Sequence, residues 1–208
     1  TTWSANGSPY VLLETVTVQE GITLTIEPGV EVHGAHANVE LLVNGRIEAA
    51  GTAEAPIVFR GVGEAPNAWE GVDLRETATG IFRHVTIRHA DYAMYFTRPR
   101  AGAFETSDLV LEDFNRYGIY VTGNDAQAQS LALTRLTASS SVESAQGVYV
   151  STISLALTDS TLHDLRYGVQ LRNAPATVTR VIFRDNFEAG LQHYNTSGNA
   201  VATVDHCT

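Results

Sequence analysis

Five short segments share one pattern: Ala93-Met94-Tyr95-Phe96, Gly118-Ile119-Tyr120-Val121, Gly147-Val148-Tyr149-Val150, Gly168-Val169-Gln170-Leu171 and Gly190-Leu191-Gln192-His193. In a β-strand successive side chains point to opposite faces. Met94, Ile119, Val148, Val169 and Leu191 then face inward, and Tyr95, Tyr120, Tyr149, Gln170 and Gln192 face outward. Strands stacked about 4.8 Å apart would bring that outward series into one column. Flat aromatic rings beside amides suit stacking against sugar rings and hydrogen bonding to their hydroxyls. Like residues also line up along parallel strands simply to stabilise them, and a subunit contact would use the same surface.

A second series carries acids. Asp113, Asp164 and Asp185 follow three of the repeated segments, flanked by Glu112, His163 and Arg184. Asp164 and Asp185 fall in adjacent repeats and could approach within the range of paired catalytic carboxylates or of a Ca²⁺ site. With Arg184 they form the alternative, catalytic candidate set. Asp is also common where a strand turns, because its side chain bonds nearby backbone N–H groups, and Arg166 and Arg184 would neutralise the pair without catalysis. A Thr column (Thr86, Thr137, Thr161, Thr208) is interrupted by Val110 and Ile182, so β-propensity explains it better than ice binding. Among the seven histidines only His33 and His36 are closely spaced, and no third metal ligand accompanies them, so neither a metal nor another cofactor is expected.

Composition removes several classes of function. The net charge is -10, and all 13 basic residues are Arg. An acidic chain without a basic cluster does not suit nucleic acid or an anionic membrane. The absence of Lys excludes Schiff-base chemistry and a Lys general base. No apolar run approaches the roughly 20 residues of a membrane-spanning helix. Asn195-Thr196-Ser197 fits an N-glycosylation acceptor, relevant only in a host with that machinery.

The elements that must position these residues are short, β-rich and periodic. Val85, Leu109, Leu136, Ser160 and Val181 open equivalent segments separated by 24, 27, 24 and 21 residues. A second strand follows each at a nearly fixed distance, and a third precedes the next, as in Leu131-Ala132-Leu133 and Leu155-Ala156-Leu157. Three short strands per period, with no helical segment and few two-residue hairpin turns, predict stacked coils that bury a continuous core only together. The fold expected is all-β: a single right-handed parallel β-helix of three-strand coils over residues 15–208, its last coil incomplete. Residues 1–14 are expected to form an N-terminal cap.

Between residues 15 and 74 the runs VTVQEGITLTIEPGVEVHG, LLVNGRIEAAGTAEAPIVFRG and WEGVDL resemble the opening coils of secreted bacterial right-handed parallel β-helix repeat proteins of pectin-lyase-like fold. The resemblance implies the fold and an exported, secreted or cell-surface bacterial setting. Such domains occur in adhesins, scaffolds and carbohydrate-active enzymes alike. A galacturonase-like Arg-Ile-Lys set is impossible without Lys, and Val204-Asp205-His206 lacks the Trp of the lyase-like Trp-x-Asp-His motif. The sequence therefore favours a non-enzymatic scaffold or adhesion module that touches a polysaccharide or other glycan through the Tyr/Gln column. A polysaccharide lyase or glycoside hydrolase is the second reading. A filament subunit stacking end to end is the third. Cys207 aligns with the inward column of Leu136, Ser160 and Val181, and further chain or another subunit is expected against the C-terminal end.

Overall fold

A computed structural model describes residues 1–124, 129–196 and 200–208; Ser197 of the acceptor pattern lies outside the described residues. Their strands form two sheets, one of 14 strands and one of 8, in which every named ladder is parallel. The only helical element among them is a 3₁₀ turn at Ala5–Gly7. The chain is a parallel β-helix, and each coil presents three faces.

The first face contains Thr23–Ile26, Arg46–Ala50 and Ser154–Thr158, and the second contains Glu31–Gly34, Ile57–Gly61 and Thr161–His163. In the middle coils these two faces are joined, because Thr79–Arg88, Phe104–Glu112 and Ser130–Ser139 run continuously around the corner. That continuity makes one sheet out of two faces. The third face is the eight-stranded sheet, stacked from Val16–Val18 through Glu40–Val43, Trp69–Leu74, Ala90–Thr97, Tyr117–Thr122, Gln146–Ser151 and Tyr167–Arg172 to Ala189–Tyr194.

Many corners, above all in the later coils, are turned by one non-glycine residue in the left-handed backbone region. Between the first and second faces these are His84, Asp108, Arg135, Asp159, Arg180 and His206; between the second and third they include His89, Asp113, Asp164 and Asp185. Asp, Asn and His tolerate this conformation better than other non-glycine residues, which accounts for the acidic series at these positions.

Inward side chains form the core. Val85, Leu109 and Leu136 pair in register and are buried. Ser160 and Val181 continue the column, followed by Cys207. The buried Ser160 hydroxyl donates to the Thr158 carbonyl and accepts from the Leu136 N–H, so its polarity is satisfied. Cys207 is half-buried against the core, its sulfur 3.4 Å from the Val181 nitrogen. Parts of the segment expected as a cap also pair with the ladder. Thr2–Trp3 pairs in parallel with Thr25–Ile26, and Tyr10–Leu12 pairs with Val32–Gly34. Trp3 stacks on Tyr10 at 5.0 Å, so residues 1–14 supply the first strands of the coil stack as well as aromatic cover.

Candidate functional site

The Tyr/Gln column lies on the third face in the expected register: Tyr95, Tyr120, Tyr149, Gln170 and Gln192 are successive partners. It extends further toward the N-terminus, where Asp73 partners Tyr95 and Leu42 partners Asp73. A parallel row two or three positions earlier runs Glu40, Gly71, Tyr92, Tyr117, Gln146 and Tyr167. Tyrosines from both rows meet. Tyr120 stacks on Tyr149 at 4.9 Å, Tyr92 stacks on Tyr117 at 5.4 Å, and Tyr95 meets Tyr120 edge-on at 5.1 Å. The five rings Tyr92, Tyr95, Tyr117, Tyr120 and Tyr149 are therefore half-buried by one another rather than broadly exposed. This packing desolvates Tyr120 and pushes its phenol up to about 12, so it remains a neutral hydrogen-bond donor at physiological pH. Beyond the rings Gln170 donates to Gln192 at 2.6 Å.

In the repeated small position (Ala93, Gly118, Gly147, Gly168, Gly190), close approach explains the glycines, to backbone at Gly118, Gly147 and Gly168 and to the Phe183 side chain at Gly190. A Cβ on Gly118, Gly147 or Gly168 would press on the carbonyl oxygen of the next glycine in the stack. The preceding coil lacks this inserted residue, so the register shifts between Tyr92 and Met94 where Ala90–Thr97 meets Trp69–Leu74. Gly71 sits at that shift with φ +125°, and a Cβ there would collide with the Tyr92 carbonyl oxygen. Gly71 also interrupts the outward row, leaving a space between Glu40 and Tyr92.

A cavity of about 320 Å³ occupies that space, lined by Glu40, Glu70, Asp73, Arg75, Tyr92, Tyr95 and Arg116 among others. A second recess of about 280 Å³ shares Glu70 and Arg116 and adds Asn38, Asn67, Asp91 and Asn115. Asp73 has the more deeply buried side chain of the cleft's two aspartates, 7% exposed against 9% for Asp91. Its Oδ2 receives the Arg75 guanidinium at 2.6 Å. Its buried Oδ1 has no hydrogen-bond partner. Burial, reinforced by Glu40 and Glu70 and opposed by Arg75, raises the Asp73 carboxyl to about 6. Glu70 is also raised, first by desolvation and then by the charge of Asp91.

The arginines of the cleft are committed to acids. Arg116 forks onto the buried Asp91 through Nε, at 2.8 and 3.0 Å from its two oxygens, and through Nη2. Its guanidinium lies 4.4 Å over the Tyr92 ring, and Asn115 Nδ2 completes the shell of Asp91 at 2.7 Å. Asp91 is thus a structural anchor that fixes Arg116 and, through it, Tyr92.

The other candidate set lies elsewhere. Asp164 and Asp185 occupy left-handed corner positions on adjacent coils, both exposed. Asp164 pairs with His163 at 2.6 Å, and Arg184 with Asp185 at 3.2 Å. Sequence reasoning did not reach Glu40, Glu70, Asp73, Arg75 or Arg116. Asp73 was within reach, since it stands one coil before Tyr95 in the same column, but the register shift at Gly71 hid the alignment. Among the described residues no group of three or more His, Cys, Asp or Glu could hold a metal ion.

A family model described as pectate-lyase like beta helix domain matches residues 1–81. No curated protein and no solved structure matches the chain. The matched segment ends inside the strand Thr79–Arg88, and the same parallel ladders continue beyond it to Ala202–Asp205. The chain is therefore a parallel β-helix repeat protein whose first 81 residues match a pectate-lyase like β-helix domain.

Proposed function

We propose that the third face binds a glycan and that the protein serves as an exported bacterial scaffold or adhesion module. One observation carries this reading: five tyrosine rings and a carboxylate- and amide-lined cleft lie side by side on one outward face. Rings offer sugar C–H faces a stacking surface, while carboxylates and amides accept and donate hydrogen bonds to hydroxyls. The rings hold one another in place, so little side-chain freedom is lost on binding. The pectate-lyase like match supports a carbohydrate-related use of the fold.

A glycan array followed by titration of the best ligand tests the proposal. Combining Tyr120→Ala with Tyr149→Ala should weaken binding about tenfold, from the loss of aromatic contacts worth about 0.5–1.5 kcal/mol each. Tyr120→Phe keeps the ring and should retain most of the affinity. No retained glycan, or unchanged binding by the double alanine variant, would refute it.

A second reading, cleavage of a polysaccharide, is favoured by one specific feature. Asp73, held near 6 in the cleft with an unengaged oxygen, has the protonation range of a general acid. Release of new sugar ends from the bound glycan, abolished by Asp73→Asn, would establish this reading over simple binding.

A further inference from the structure

We infer that the cleft takes a cationic sugar, an amine-bearing unit of an oligosaccharide such as glucosamine, on the buried Asp73 carboxylate. This rests on the glycan reading above and narrows it to a ligand class.

Charge and geometry point the same way. Four acids, Glu40, Glu70, Asp73 and Asp91, surround the two recesses, against two arginines, Arg75 and Arg116. Arg116 is taken up by Asp91 and lies over Tyr92, and Arg75 is paired with Asp73 Oδ2. Glu40 and Glu70 have no ion-pair partner among the described residues, and the buried Asp73 Oδ1 has no hydrogen-bond partner. An unengaged carboxylate oxygen in a desolvated recess calls for a donor, and a charged one interacts most strongly. The Tyr95 ring lines the same cavity, and the negative face of an aromatic ring attracts an ammonium group. A carboxylate-bearing sugar has the opposite fit, since it would meet four carboxylates and two guanidiniums that each already pair with one of them.

Titration calorimetry at pH 7 and low salt, with three oligosaccharides of equal length, tests the inference: glucosamine, N-acetylglucosamine and galacturonate oligomers. The glucosamine oligomer should bind at least tenfold more tightly than its acetylated counterpart, and the galacturonate oligomer most weakly. Asp73→Asn, which preserves shape, should remove most of the preference for the amine, read as the ratio of the two affinities. Glu70→Gln should reduce the preference by a smaller factor. Equal or tighter binding of the acetylated or the galacturonate oligomer would overturn the inference and leave glycan binding standing, as would a preference that survives Asp73→Asn. A parent protein that retains no glycan on the array would overturn both.

Discussion

Asp73 concentrates the tension between folding and function in a single side chain. Its carboxyl is raised to about 6 chiefly by burial, against an ordinary value of 3.8. The folded protein therefore holds this proton more tightly than the unfolded chain. The direction follows from linkage: Asp73 is neutral in both states well below pH 4, and its ionisation opposes folding increasingly as pH rises toward and through 6. Asp73→Asn removes that opposition without changing shape. It should raise stability by about 1–2 kcal/mol at pH 8, allowing for solvent screening, and leave stability nearly unchanged at pH 4. Thermal unfolding at the two pH values checks this, and an equal effect at both would show that charge is not the cause. A stabilising substitution that also weakens ligand binding is the expected signature of a site that sacrifices stability for function. Asp108 behaves in the opposite way. The Arg135 guanidinium holds its carboxyl down at about 2 by donating two hydrogen bonds at 2.6 and 2.7 Å. That contribution is present above pH 4 and is lost as pH falls through about 2. Asp108→Asn keeps a residue tolerant of the left-handed corner and should cost less than about 1 kcal/mol at pH 7 and a smaller amount at pH 2, read by thermal unfolding at the two pH values.

The corner and the register shift are the elements that shape this molecule beyond its repeat. Residues directly preceding the inward column alternate between basic and acidic types along the first corner: His84, Asp108, Arg135, Asp159, Arg180. Arg180 forks onto Asp159 at 2.6 and 2.8 Å, as Arg135 does onto Asp108. Such a ladder opposes a slip of one coil against the next only if each left-handed residue keeps its place, so it reinforces register as well as stability. The inward and outward columns were legible in the sequence because a two-residue alternation inside a period of 21 to 27 residues leaves little freedom. The corner ladder was legible in principle, one residue before Val85, Leu109, Leu136, Ser160 and Val181, but basic and acidic types alternate along it and no single residue type runs through it. The cleft was not legible. Its acids come from strands whose alignment depends on the extra residue inserted at Ala93, and sequence alone does not locate that insertion. Gly71→Ala tests this account of the register shift. With φ +125° and the Tyr92 carbonyl in the path of its Cβ, the variant should lose several kcal/mol of stability. A thermal midpoint within 2 °C of the parent would contradict the close approach.

At the scale of the whole molecule, stacking converts a sequence repeat into a graded surface. Along the third face, Glu40 and Asp73 lie in the N-terminal coils, the five-tyrosine cluster in the middle coils, and Gln170 and Gln192 in the C-terminal coils. An extended ligand lying along the axis would meet the cleft, then the rings, then Gln170 and Gln192. The first-to-second corner is lined instead by paired charges, and Asp164 and Asp185 project at the corner before the third face. The faces therefore offer different chemistry, and the third combines a concave recess with a cluster of tyrosine rings. A crystal structure with the tightest-binding oligosaccharide from the array tests that assignment most directly. The account predicts sugar density on the third face, one ring against the tyrosine cluster and one unit in the cleft beside Asp73. Density confined to the corner around Asp164 and Asp185, or to another face, would contradict it.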